Sequence, residues 1–170
     1  REILQVKQIF KESVKEGAFG FSACLADESW RAGLAYAHTK HTSGEELLVF
    51  AKMAQSLGVI CAIHLRDEGK NFLGSVNEVI QIAKETSATI RISHLKAHHP
   101  YWKYFGMALT MIDNANNHGT NIHFDIYPYT VSAIHLYALL PDAVLTGGPS
   151  TGKRAILEKL KKTETNKEFF

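Results

Sequence analysis

The strongest constraint on the fold is a repeat of short, unbroken apolar runs separated by longer amphipathic stretches. Val59-Ile60-Cys61-Ala62-Ile63 runs without a polar residue and ends at His64. Such a run is expected of a strand buried on both faces, as parallel strands usually are. Thr89-Ile90-Arg91-Ile92-Ser93 then leads to His94, and Asn121 to Tyr127 forms a further strand-like stretch closed by Pro128. Ala18 to Cys24 reads as an earlier strand interrupted by glycine.

Between these runs the apolar residues recur at helical spacing. Ile3, Val6, Phe10 and Val14 form one stripe, stopped by Gly17. Leu47, Leu48, Phe50, Ala51, Ala54 and Leu57 form the next, closed by Gly58. Ser43 and Glu46, ahead of that stripe, have the spacing of a capping box. Leu73, Val76, Val79, Ile80 and Ala83 make a third stripe, and Phe105, Ala108, Leu109, Ile112 and Ala115 a fourth that stops at Gly119. A last stripe, Ile156, Leu157 and Leu160, follows the loop at 145–154. Residues 25–42 show no period and read as a long, functional loop.

Strand–helix units of about thirty residues imply parallel strands joined by right-handed crossovers. The expected class is α/β. A TIM-type (β/α)8 barrel and a doubly wound open sheet both fit. Four candidate strands are half a barrel. With the opening at Arg1 inside a helical pattern and the end just past another, residues 1–170 are expected to be the central part of one catalytic domain, truncated at both ends. Unpaired edges in such a half-barrel predict a chain that is inactive and association-prone by itself.

Composition excludes several function classes. Of 170 residues, 45% are hydrophobic and 21% charged, as in an ordinary globular protein. A net charge of +2 is too small for a nucleic-acid or polybasic membrane partner. No apolar run approaches the ~20 residues of a membrane span, and no signal peptide is visible. Two cysteines, Cys24 and Cys61, are too few for a disulfide framework and fit a reducing, cytoplasmic location.

The chemistry-bearing residues collect at the ends of the strands. His64 and His94 lie at the carboxyl ends of neighbouring strands, where the strands of a βα barrel converge on the active-site face. Two imidazoles there can share a cation such as zinc; a lone histidine at a strand end more often just bonds a loop, and the pair puts the two readings level. His64 is followed by Leu65-Arg66-Asp67-Glu68-Gly69, and His94 by Leu95-Lys96-Ala97-His98-His99. Asp67 and Glu68 read as solvated loop residues. Lys96 and Tyr127 are expected to point inward, where an ammonium and a phenol can hold a carboxylate or polarise a carbonyl. Asp125 reads as a structural carboxylate at the barrel mouth, and His98-His99-Pro100-Tyr101-Trp102 as an active-site loop.

Four motifs then carry a resemblance. Gly17-Ala18-Phe19-Gly20-Phe21-Ser22, His64-Leu65-Arg66-Asp67-Glu68, Ser93-His94-Leu95-Lys96 and Asp125-Ile126-Tyr127-Pro128-Tyr129 occur in the order found in D-aminoacylases of the amidohydrolase superfamily. The resemblance extends to Leu139-Leu140-Pro141 and Gly147-Gly148. It implies a (β/α)8 barrel and zinc-dependent hydrolysis of a small N-acyl-D-amino acid. His64 and His94 match the histidines that bind the tightly held zinc, and Lys96 and Tyr127 match residues that bind the substrate's carboxylate end. The family's His-x-His motif, bridging cysteine and catalytic aspartate have no counterpart here. Cys24 follows the place where that cysteine belongs and is not taken as a ligand; the acid/base aspartate is expected downstream, so no catalytic residue is expected within this chain.

Two other readings compete. Gly147-Gly148-Pro149-Ser150-Thr151-Gly152-Lys153 has the spacing of a phosphate-binding loop. Arg154 stands where the Mg²⁺-binding hydroxyl belongs, and Pro149 removes a backbone donor. That leaves a non-catalytic βα domain with a degenerate loop. A dihydroorotase-like amidohydrolase is the other, disfavoured because Ala18 to Cys24 offers no lysine to be carboxylated.

Overall fold

The computed structural model describes residues 2–25, 42–131 and 158. The phosphate-loop-like segment at 147–153, most of the 25–42 loop, the Leu139–Pro141 stretch and the last helical stripe lie outside the described residues. So do His38, His41 and His135.

Among the described residues four helices and four strands alternate along the chain. Helix α1 (Glu2–Lys15) precedes β1 (Gly20–Cys24), and α2 (Gly44–Leu57) precedes β2 (Ile60–His64). Helix α3 (Phe72–Thr86) leads to β3 (Thr89–Ile92), and α4 (Phe105–Asn117) to β4 (Asn121–Phe124), with a 3-10 turn at Tyr101–Tyr104 before α4. The sheet order is β1-β2-β3-β4, and each neighbouring pair is parallel.

That order bears on the two architectures the repeat allowed. A doubly wound sheet reverses direction at a switch point and carries helices on both faces. Among the described residues the order follows the chain without reversal, and the helices all pack on one face. Cys61, Ile63, Ile90, Ile92 and Ile122 point into a core shared with Leu47, Ala51, Ala54, Phe72, Val76, Val79, Ala108 and Ile112. The alternate residues Ile60, Arg91, Asn121 and His123 are exposed. This is the arrangement of consecutive barrel strands, with the helices outside.

The apolar run of β2 was expected to be buried on both faces. Its Cys61 and Ile63 are buried, but Ile60 is 38% exposed. Among the described residues only the helix-facing side is covered. No described helix is long and apolar enough to cross a membrane.

Local chemistry explains the element ends. Ser43 caps α2 by accepting the Glu46 N–H at 3.1 Å. Gly58, at φ 67°, closes it in the left-handed conformation that glycine adopts without penalty. Phe21 joins β1 to the helical layer, edge-on to Phe10 at 5.5 Å and tilted against Phe50 at 6.0 Å.

Gly20 is a different case, because a Cβ there would run into the carbonyl oxygen of Ile60 on β2. Gly20→Ala is therefore expected to force β1 away from β2 and lower stability by ~2 kcal/mol or more. Denaturant unfolding of the full-length protein checks this; a change under ~0.5 kcal/mol would show that the strands accommodate the methyl.

Candidate metal centre

Each strand delivers its last residues to one rim. On β2 the register pairs Cys24 with His64, and the Leu25 N–H donates to the His64 carbonyl at 3.2 Å. On β3 the ladder ends at Ile92 because His94 leaves the extended conformation, with φ 41°. A left-handed backbone costs a non-glycine residue roughly 1–2 kcal/mol, so it persists only where neighbours hold it. Asp125 is that neighbour. Its Oδ1 accepts the His94 N–H at 2.8 Å, and its backbone carbonyl accepts the Leu95 N–H at 2.7 Å. Arg91 donates to Asp125 Oδ2 at 2.9 Å. Partial burial pushes the Asp125 carboxyl up, but the His94 N–H and Arg91 outweigh it and hold the group below its ordinary value.

Held this way, the His94 ring meets His64. His94 Nε2 lies 2.7 Å from His64 Nδ1, with ring centroids 4.5 Å apart. The other ring nitrogen, His94 Nδ1, lies 3.1 Å from Glu68 Oε1. Glu68 Oε2 takes Lys96 Nζ at 2.6 Å and lies 3.1 Å from His98 Nε2, which is at ion-pair distance but poorly aligned for a hydrogen bond. The Glu68 side chain is 13% exposed. Burial raises its pKa, yet His98, Lys96 and the charge of His94 together reverse the sign and keep it below the ordinary carboxylate value. A backbone bond from the His98 N–H to the Glu68 carbonyl, 2.7 Å, ties the two rim loops together.

Tyr127 completes the cluster. Its ring stacks on His94 at 5.9 Å and sits 5.5 Å from Lys96 Nζ. The four residues singled out in the sequence, His64, His94, Lys96 and Tyr127, thus stand together at the rim. Tyr127 lies past the end of β4, which stops at Phe124 because β3, its partner, has already turned at His94.

Other residues separate from the cluster. Asp67 shapes its own loop, accepting the Gly69 and Asn71 N–H groups. Arg66 turns away to Glu78 at 2.8 Å and to the Thr42 carbonyl at 3.0 Å. His99 packs edge-on to Trp102, His118 bonds the Asn114 carbonyl, and His123 bonds Asn121. Glu68 is the residue the sequence reading underrated. Read alone, it is a charged loop residue. The available signal was its position, four residues past a strand-end histidine and thus on the same rim.

The donor set suits zinc in part. Zinc–nitrogen bonds of ~2.0–2.1 Å at tetrahedral angles place two ligand nitrogens ~3.3 Å apart. The two nitrogens here converge at 2.7 Å and would need to open by about 0.6 Å on that basis. A carboxylate on the far nitrogen of His94 is a common outer-shell partner of a metal-bound imidazole. Among the described residues no group of three or more histidine, cysteine or acidic side chains could hold an ion. The described residues therefore offer two ligands, not a full set.

Asp125→Ala removes the anchor of the left-handed His94. Zinc affinity of the full-length protein is expected to fall about tenfold, as for loss of other outer-shell contacts. Competition titration against a chromophoric chelator measures it; wild-type affinity would show that the backbone of His94 needs no such anchor.

Comparison with known proteins places this rim in context. No family model matches the chain. It is 29% identical to N-acyl-D-glutamate deacylase of Alcaligenes xylosoxydans xylosoxydans over 134 residues, 78% of this chain and 26% of that protein. It is 26% identical to D-aminoacylase of the same organism over 148 residues, 86% of this chain and 28% of that protein. The crystal structure of N-acyl-D-glutamate deacylase from Bordetella bronchiseptica, with zinc and a phosphonate mimic of the tetrahedral intermediate, superposes with a TM-score of 0.65 at 29% identity, covering 75% of this chain and 25% of that one. A D-aminoacylase structure described as defining a novel subset of amidohydrolases gives a TM-score of 0.63 at 26% identity over the same shares. The chain thus spans about a quarter of the length of the relatives it matches. In sequence and in fold, the chain is similar to part of the D-aminoacylases of the amidohydrolase superfamily.

Proposed function

We propose that this chain supplies four consecutive strands of the catalytic barrel of a zinc-dependent deacylase. The reaction is hydrolysis of an N-acyl-D-amino acid to a carboxylate and a D-amino acid. The observation that carries this reading is the 2.7 Å approach of His64 and His94 at the rim where barrel enzymes place their chemistry. Acylase-type relatives favour a linear amide over the cyclic amide of a dihydroorotase-like enzyme.

In this reading His64 and His94 are two of the metal's ligands. Zinc held there would acidify a water and polarise the amide carbonyl. Lys96 and Tyr127 would bind and orient the substrate's carboxylate end, a role supported by the stack of Tyr127 on His94 and its approach to Lys96. Lys96 keeps this role while paired with Glu68, because an ammonium has three protons to donate.

The test is hydrolysis of a panel of N-acyl-D- and N-acyl-L-amino acids by the full-length protein, before and after chelation. D-selective release of amine, lost on chelation and restored by zinc, is expected. Purified, zinc-replete protein that hydrolyses no member of the panel would overturn the proposal.

A further inference from the structure

We propose that Glu68 is a positioning residue that fixes the tautomer of His94, keeping Nε2 unprotonated toward His64. This inference rests on the metal-ligand reading of His94 and adds a residue to it.

Two groups contend for His94 Nδ1. Glu68 Oε1 lies 3.1 Å from that nitrogen and Lys96 Nζ lies 3.3 Å from it. Their chemistries are opposite. An ionised carboxylate only accepts, so it selects the tautomer with a proton on Nδ1; an ammonium only donates, so it selects a bare Nδ1. A neutral imidazole carries one proton, and the choice at Nδ1 dictates the state of Nε2. With the proton on Nδ1, Nε2 keeps its lone pair and, in the metal-free protein, accepts from His64 Nδ1 across 2.7 Å; the His64 proton would shift to that ring's far nitrogen when a metal takes the position. With Nδ1 bare, Nε2 carries the proton and is useless as a metal ligand.

Glu68 settles the contest twice. One oxygen takes the Nδ1 proton, and the other holds Lys96 at 2.6 Å, closer than Lys96 comes to His94. The carboxylate is itself held in place. Its loop is shaped by Asp67, and its carbonyl accepts the His98 N–H. Removing Glu68 would leave Lys96 as the nearest polar partner of Nδ1, a donor facing an atom that then has to accept.

Two measurements on the full-length protein test this. Two-bond ¹H–¹⁵N NMR of the metal-free protein reads the histidine tautomers, and chelator competition with zinc alone reads affinity. Wild-type His94 is expected in the Nδ1–H form. Glu68→Ala is expected to move it to the Nε2–H form and weaken zinc binding 10- to 100-fold, in the range of other outer-shell losses. The double variant E68A/K96M removes the competing donor and should recover at least threefold of that loss. A merely structural role for Glu68 predicts no recovery. Wild-type His94 in the Nε2–H form, or a Glu68→Ala protein that keeps the Nδ1–H form, overturns the proposal. A wild-type protein that shows the Nδ1–H form yet binds no zinc would instead defeat the metal reading and leave the tautomer assignment standing.

Discussion

Alanine at His64 or at His94 is expected to strip tight zinc from the full-length protein and to silence hydrolysis. Structural four-ligand zinc sites bind with apparent free energies of ~10–16 kcal/mol, so one ligand is worth about 2.5–4 kcal/mol. That corresponds to a loss of about a hundred- to a thousandfold in affinity. The two single variants should lose similar amounts, since the imidazoles face each other across a shared position. The double variant should be little worse in activity than either single one, because residues acting as a unit are not additive. His123→Ala is the control. His123 is exposed on β4 and bonds only to Asn121 among the contacts described, so its removal should leave zinc content unchanged. Metal analysis after gel filtration, with activity measured in parallel, reads all four proteins. Full zinc occupancy in both single variants would rule out the shared site.

The parts of this molecule legible in its sequence are those set by periodicity. The four described helical stripes became α1 to α4, and the four apolar runs became β1 to β4. Runs ending at His64 and His94 also located the rim, since the carboxyl ends of parallel strands must lie on one side. Whether the sheet closes or opens outward was not legible, because the local pattern of a βα unit is the same in both. Strand order and one-sided helical packing bear on it, and both are relations between distant residues.

Site details divide along the same line. Asp125 could be read as structural because a carboxylate just past a strand end has a backbone to satisfy, and it satisfies the amide of His94. Glu68 could not be weighted correctly, because its three neighbours His94, Lys96 and His98 come from another strand's end. Arg66 shows the converse. Two residues past the strand-end His64, it stands in sequence as near the rim as Glu68 does, yet it pairs with Glu78 on α3. Neutral spacing rules do not say which way a loop side chain turns.

The largest loss of stability from a single substitution is expected at Phe72. It heads the fully buried side chains by size, at 1% exposure, and it opens α3 under the loop that carries Glu68. Phe72→Ala removes most of an aromatic ring from a close-packed interior and leaves a cavity, a change that costs ~3–5 kcal/mol. In a domain of ordinary size this lowers Tm by on the order of 10 °C. The effect should reach the rim. The Phe72 N–H donates to the Gly69 carbonyl, and Asp67 and Ser75 lock the intervening turn, so a collapsing α3 start drags the 67–71 loop with it. Zinc affinity is therefore expected to fall several-fold together with stability. Phe72→Leu, which keeps most of the apolar volume, should cost ~1–1.5 kcal/mol and leave affinity near wild type. Calorimetric melting with chelator titration of both variants separates the two effects. Loss of stability without loss of affinity would mean that the Glu68 loop is held by its own hydrogen bonds and not by the core beneath it.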